Sequence, residues 1–323
     1  MNILVTGAFG SLGIYVIKAL EANKHKIRCF DIATKRNLKI AKKYNDKFEV
    51  IWGDIRNLED IQRIVKDQDI IIHLAFFLPP INDKNRSLAE AVNIRGTKNL
   101  ISEAEKQTNP PKFIFASSVA IYGDTSNKLQ PISVDEELNP TDEYSAHKVE
   151  CMNLLKLSKL QYSIFILGVI IAVQKLTFDS KMFDMPPETN IEVIHPIDIG
   201  NAFANSVMND MIWGKILHIA GGPSCRLKYY DFLSASMEVM GIGPLPEEAF
   251  GGTNYFTSFL SSEESNLLLD YQKHSYQDIL LDMRKNNKLK ISLAKLFKPL
   301  VRRYLLRQSP YYNQNFRTIE EKE

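Results

Sequence analysis

Cysteine is scarce in this chain: Cys29, Cys151 and Cys225 are the only ones in 323 residues, and no two of them form a CxxC pair. So sparse and odd a set offers neither a disulfide framework nor the ligand spacing of a zinc site, so no metal is expected and a reducing cytoplasm is the expected setting. Long hydrophobic runs are missing as well. The longest, Ile164 to Val173, falls well short of the roughly 20 residues that span a bilayer as a helix. The N terminus opens on the apolar stretch MNILVTG, without the basic leader and small-residue cleavage site of a secretion signal. Nor does one sign of charge dominate: 40 basic against 38 acidic residues leave a net charge of +2, which gives no global field for steering nucleic acid. Gly (15) and Pro (14) are too few for a low-complexity chain, and 45% hydrophobic residues suffice for a sizeable core.

Through the first half, short β-branched runs alternate with longer helical patterns, the signature of a doubly wound parallel α/β sheet. Strands are predicted at Asn2 to Thr6, Ile27 to Asp31, Phe48 to Trp52, Ile70 to Leu74, Phe113 to Ser117 and Ser163 to Ile171. Helices are predicted at Ser11 to Ala22, Leu58 to Lys66, Leu88 to Lys106 and Tyr144 to Leu160. Beyond Ala172 the pattern weakens to a helix near Ile199 to Met211, a strand at Lys215 to Ile219 and a helix at Tyr229 to Met240. The expected organisation is a Rossmann domain over 1–172, a smaller substrate-binding portion over 173–284 with some segments returning to the sheet, and a basic tail over 285–323.

The first strand runs into Thr6-Gly7-Ala8-Phe9-Gly10-Ser11-Leu12-Gly13, where a helix begins. Glycines belong there because a Cβ would obstruct the turn, hold the backbone off a pyrophosphate and keep the helix from packing on the strand. The N–H groups and dipole at the helix start then hold phosphate. The spacing is GxxGxxG, wider than the generic fingerprint, so its context decides. Asp31 ends the second strand, eighteen positions after Gly13, where a carboxylate can accept both adenosine ribose hydroxyls and repel a 2′-phosphate. That favours NAD over NADP, although Lys35 and Arg36 stand close by.

Tyr144 and Lys148 lie four apart on a predicted helix and share a face. A phenol titrates near pKa ~10, and an adjacent ammonium stabilises phenolate, which suits it to proton exchange with an alcohol or carbonyl. Ser118, at the end of the fifth strand, can hydrogen-bond the same substrate oxygen. These residues occur in the order TGAFGSLG, GDI (Gly53 to Ile55), HLA (His73 to Ala75), VNIRGT (Val92 to Thr97), SSVAIYG (Ser117 to Gly123) and YSAHK (Tyr144 to Lys148). That series resembles the extended short-chain dehydrogenase/reductase family from Met1 to about Ile171. The resemblance implies that Gly7, Phe9, Gly10, Ser11, Leu12 and Gly13 hold the pyrophosphate, Asp31 the ribose, and Asp54 with Ile55 the adenine. It implies that Leu74 and Ala75 line the cofactor cleft, that Asn93 stands in the helix behind the site, and that Tyr144 is the acid/base with Ser118 its partner. Lys148 would also grip the nicotinamide ribose.

Departures from the family bear on the substrate. Dehydratases carry an Asp-Glu pair where this chain has Val119 and Ala120, and nucleotide-sugar enzymes carry arginines at positions that fall here on Ile166 and Ile191. Phe76 to Ile81 forms an apolar loop after the fourth strand, and 173–195 is rich in Met, Phe and Pro. The resulting expectation is a secondary alcohol or ketone on an apolar or amphipathic small molecule, similar to the 3β-hydroxysteroid dehydrogenase and dihydroflavonol reductase-like branches. A sugar or nucleotide-sugar epimerase and a non-catalytic NAD-binding regulator are the alternatives. Family members often dimerise through the helix bearing YxxxK. In the tail, Leu293, Leu296, Phe297, Leu300, Val301, Tyr304 and Leu305 follow helical spacing beside Lys295, Lys298, Arg302 and Arg303, with Pro299 set to kink the helix. Such a helix either docks its apolar face on the body or on a second subunit, or lies on an anionic membrane through 288–307. Docking on protein is the expectation, and nucleic acid is not, since no recognition module accompanies the charge.

Overall fold

Alternate side chains of the first strand, Asn2–Thr6, enter different cores: Ile3 and Val5 pack on one side of a sheet and Leu4 on the other. The same division recurs at Ile70 and Ile72 against Ile71, and at Ile114 and Ala116 against Phe113 and Phe115. Strands that are apolar on both faces need helices on both faces, and the computed structural model, which describes residues 1–44, 47–78, 85–171, 173, 180–252 and 257–312, has them. In chain order the elements to the middle are β1 (Asn2–Thr6), α1 (Gly13–Ala22), β2 (Lys26–Asp31), α2 (Lys35–Ala41), β3 (Glu49–Trp52), α3 (Leu58–Val65), β4 (Ile70–His73), α4 (Arg86–Glu90), α5 (Gly96–Glu105), β5 (Lys112–Ser118), α6 (Glu143–Lys156) and β6 (Tyr162–Leu167). The rest are β7 (Val169–Ile170), β8 (Asn190–Ile194), α7 (Pro196–Ser206), β9 (Ile216–Ile219), β10 (Arg226–Lys228), α8 (Tyr229–Val239), α9 (Glu263–Leu269), α10 (Tyr276–Asn286), α11 (Lys288–Leu296) and α12 (Lys298–Leu306).

Seven parallel strands form one sheet in the order β3-β2-β1-β4-β5-β6-β9. The chain leaves β1 towards β2 on one side and returns as β4 on the other. The crevice beyond the carboxyl ends of β1 and β4 is therefore the topological switch point, where ligands of such sheets bind. A second sheet, β10-β8-β7, covers a third core built around Phe183, Val193, Tyr229, Met237, Tyr276 and Met283.

Several elements depart from the sequence reading. The predicted strand Ser163 to Ile171 is two strands: β6 stops at Leu167, and past Gly168 the chain crosses to pair Val169 and Ile170 with β8 in the other sheet. The long helix predicted from Leu88 to Lys106 contains a π-helical turn at Ala91–Arg95 between α4 and α5. Helix α2 is missed altogether; its start is fixed by the Thr34 side chain, which accepts the Asn37 N–H, and not by hydrophobic periodicity. The tail is not one kinked helix. It breaks at Phe297 into α11 and α12, with Pro299 near the start of the second.

Candidate active site

Every residue expected at the phosphate end lies at the carboxyl edge of β1 or just after it. Gly7 has φ +69°, and a Cβ there would come within 2.8 Å of the Ala75 nitrogen. At Gly13 a Cβ would sit 2.2 Å from the Gly7 carbonyl oxygen and 2.6 Å from that of Ala8. The turn and the first residue of α1 are thus pressed together as the expected pyrophosphate cradle requires. Gly10 closes the turn by donating its N–H to the Gly7 carbonyl at 3.0 Å. The start of α1 has no side-chain cap at Leu12 and no acidic residue in its first turn, which leaves its dipole free for an anion beside Ser11. Leu74 and Ala75 run directly across this turn, Leu74 N–H donating to the Thr6 carbonyl and Ala75 N–H to Thr6 Oγ1.

At the adenosine end, the Asp31 carboxylate is held in place. Its Oδ2 accepts the Phe9 N–H at 2.9 Å, and Oδ1 accepts the Ile32 N–H and the Asn37 amide. Burial pushes its pKa up, against the downward pull of those N–H groups and of Arg36. Three donors leave a carboxylate room for another. Arg36 is tied to the Phe9 carbonyl at 3.0 Å, and the buried Phe9 ring lies 5.2 Å from Trp52. Asp54 is less open than expected. Arg56 grips both its carboxylate oxygens, and chiefly this hydrogen bonding holds its pKa below the usual range. The Ile55 side chain is buried against Gly96, so only its backbone could face a base.

Behind the crevice runs a chain of hydrogen bonds that sequence alone did not reveal. Thr97 Oγ1 donates to the Asn93 carbonyl and so accepts from His73 Nε2 at 2.8 Å. His73 Nδ1 is then the acceptor of the Thr6 hydroxyl at 2.7 Å. Asn93, expected in the helix behind the site, is wholly buried there and uses its amide to pin Phe77, accepting that residue's N–H at 2.7 Å and donating to its carbonyl at 3.2 Å. It positions the loop.

Helix α6 begins with a capping box between Asp142 and Ser145, which sets Tyr144 and Lys148 on one face within its first two turns. Lys148 is buried. Its Nζ donates to the Ala116 carbonyl at 2.6 Å and lies 3.5 Å from the centroid of the Phe76 ring and 4.8 Å from that of Phe115. Burial brings its pKa down to about 7. Phe76 also meets the Tyr144 ring edge-to-face at 5.8 Å. Ser118 ends β5 with its Oγ accepting the Ala120 N–H. Val119 is buried, as are Ile166 in β6 and Ile191 in β8. The last two belong to the packed cores, so their apolar character reflects packing and is no measure of the substrate. The same holds for Phe183 and Met185, expected near the substrate and found in the third core. Of the expected apolar loop, Phe76 to Leu78 are placed and Pro79 to Ile81 lie outside the described residues, as does 174–179 of the segment after β7.

Buried histidines, His73 and His218 among them, make stability depend on acid. Burial lowers His73 to about 3 and His218, bonded to the Tyr122 hydroxyl and the Ser261 carbonyl, to about 4. Between those values and 6.5 the unfolded chain binds protons that the folded chain refuses, so stability falls as pH drops through that window. At pH 5 the loss relative to neutrality is about 2 kcal/mol per histidine. Urea midpoints at pH 7 and pH 5 should therefore differ in the wild type, with the gap narrowed in His73→Gln. Equal midpoints at the two pH values would refute the assignment of neutral histidines.

A model of the NAD dependent epimerase/dehydratase family matches residues 3–173. Human short-chain dehydrogenase/reductase family 42E member 1 is 29% identical over 157 residues, 46% of this chain and 37% of its own. A putative UDP-glucose 4-epimerase of Methanocaldococcus jannaschii is 28% identical over 50% of this chain and 52% of its own. A 3-beta-hydroxysteroid dehydrogenase of Mycolicibacterium neoaurum is 28% identical over 37% and 32%. The chain thus spans about half or less of the length of these curated relatives. Among solved structures, UDP-glucuronic acid 4-epimerase from Bacillus cereus, crystallised with UDP-glucuronic acid and NAD, superposes with a TM-score of 0.74 over 90% of this chain and 99% of its own, at 21% identity. Among the described residues no group of His, Cys, Asp and Glu could hold a metal ion, and no helix is long and apolar enough to cross a membrane.

Proposed function

The chain belongs to the NAD-dependent epimerase/dehydratase family, and from that premise we propose that it binds NAD across the switch point and oxidises or reduces a secondary alcohol or ketone on an apolar or amphipathic small molecule. The tight turn at Gly7 and Gly13, which leaves no room for a Cβ, fits a pyrophosphate, and the fixed Asp31 carboxylate fits an unphosphorylated adenosine ribose. When bound, NAD supplies the hydride acceptor or donor. The chain's own residues do the rest. Lys148 would donate to the nicotinamide ribose hydroxyls and, held as an ammonium, would favour Tyr144 phenolate. Tyr144 Oη then takes the proton from the substrate hydroxyl or returns it to a carbonyl oxygen, and Ser118 Oγ orients that oxygen.

The observation that carries the apolar reading is the Phe76 ring, packed on Tyr144 and over Lys148, with buried Val119 after Ser118. An apolar wall on the acid/base pair disfavours a strongly hydrated substrate. Val119 and Ala120 also provide no carboxyl for elimination, so dehydration is not proposed. Nucleotide-sugar epimerisation is the second reading, favoured by the burial of Ile166 and Ile191, which removes them as evidence against a diphosphate site. Incubation with NAD and a panel of hydroxysteroids, flavonoid-type alcohols and UDP-hexoses separates the two. The proposed chemistry gives net NADH with an apolar alcohol. Interconversion of a UDP-hexose without net NADH, and no alcohol oxidised, would replace it with the epimerase.

A further inference from the structure

The basic tail has two apolar faces, and the protein covers only one. Ile291, Val301 and Leu305 turn inward to the third core, and the tail is fastened along its length. Asn287 donates to the Val173 carbonyl, Arg302 to the carbonyls of Ile242, Gly243 and Pro244, and Ser309 to that of Ala249. The stem of Lys295 lies against Gly241 and the ammonium end of Lys298 against Gly243, both glycines at positive φ. This docking fixes which side faces out. On that side stand Leu289, Leu293 and Leu296 of α11, at i, i+4 and i+7, continued by Phe297, Leu300 and Tyr304, each between 48 and 78% exposed. Five of the seven apolar residues that the sequence pattern assigns to the docking face are therefore outside. Together they expose on the order of several hundred Å², more than the scattered apolar side chains of an ordinary surface.

Charge indicates what covers them. From Arg284 to Arg307 there are nine basic residues and no acidic one. Lys288, Lys290, Arg303 and Arg307 are exposed around the apolar ridge. A second copy meeting this face about a twofold axis would set these cations against one another. A duplex would leave the leucine ridge against phosphates. An anionic lipid surface satisfies both halves, taking Leu and Phe among the acyl chains and Lys and Arg at the headgroups.

We infer that the outward face of α11 and α12 is a docking surface for an anionic phospholipid membrane, on which the protein lies peripherally. Flotation of the full chain with phosphatidylcholine vesicles, with and without one third phosphatidylserine, tests it. The bound fraction should be at least about tenfold higher on the anionic vesicles and fall as salt is raised. The combined variant Leu293→Ser, Phe297→Ser, Leu300→Ser should lose that binding about tenfold or more, and so should Lys290→Glu with Arg303→Glu; both should retain wild-type melting temperature and NADH binding. No flotation, equal binding to neutral vesicles, or binding indifferent to both variants would overturn the proposal. So would a concentration-dependent dimer in sedimentation that the serine variant abolishes, since a second copy would then be the occupant.

Discussion

Tyr144→Phe is expected to lower NAD-dependent turnover by roughly 10²–10⁴-fold, the range that positioned proton transfer contributes. The substitution removes one oxygen and leaves the ring packed against Phe76, so folding and NADH affinity should be unchanged. Stopped-flow NADH absorbance with any substrate turned over by the wild type gives the rate, and quenching of protein fluorescence by NADH gives the affinity. Loss confined to kcat identifies the proton transfer step; a matching loss of affinity would mean that the hydroxyl serves binding instead. A Phe variant that turns over at the wild-type rate would remove Tyr144 from the mechanism.

Gly13→Ala should damage both folding and cofactor binding. Its Cβ would lie 2.2 Å from one backbone oxygen and 2.6 Å from another, neither of which is the movable end of a side chain. Relief would require α1 to withdraw, and α1 carries Val16, Ile17 and Leu20, all fully buried. Overpacking of this kind costs about 3 kcal/mol or more, and the displaced helix start would lose its hold on phosphate. Urea denaturation should show the destabilisation, and NADH affinity should fall by at least about 100-fold, or about 2.7 kcal/mol. A variant as stable as the wild type, with NADH affinity preserved, would mean that the turn is looser than its contacts imply.

The parts of this protein that were legible in sequence are those governed by local rules. Strand β1, its Gly turn and α1 follow from period-two burial and from the need to avoid a Cβ, and the strands through β5 lie within a residue or so of their predicted limits. The Tyr144 and Lys148 pairing follows from helix geometry. What could not be read depends on contacts between distant positions. Nothing in the local pattern says that Asn37 will donate to Asp31 or that Asn93 will turn towards Phe77, since a π-helical turn rotates it there. Phe76 reads in sequence only as part of an apolar loop, and packing alone shows its ring over Lys148 Nζ. In the tail the 3.6-residue period is satisfied by two different stripes, and the choice between them was made by where Arg302 and Asn287 found carbonyls.

The hydrogen bonds from Thr6 through His73 and Thr97 to Asn93 and Phe77 join the phosphate turn to the loop beside Tyr144. Every member is either backbone or a short side chain, and the His73 ring fills the middle as a rigid spacer. The turn at Gly7 and the loop at Phe76 are therefore tied to one another through the protein itself. Under the proposed function, selection between a dinucleotide and anything shorter is a question of reach: a molecule gripped at the turn would act at Tyr144 only if it were long enough to arrive there.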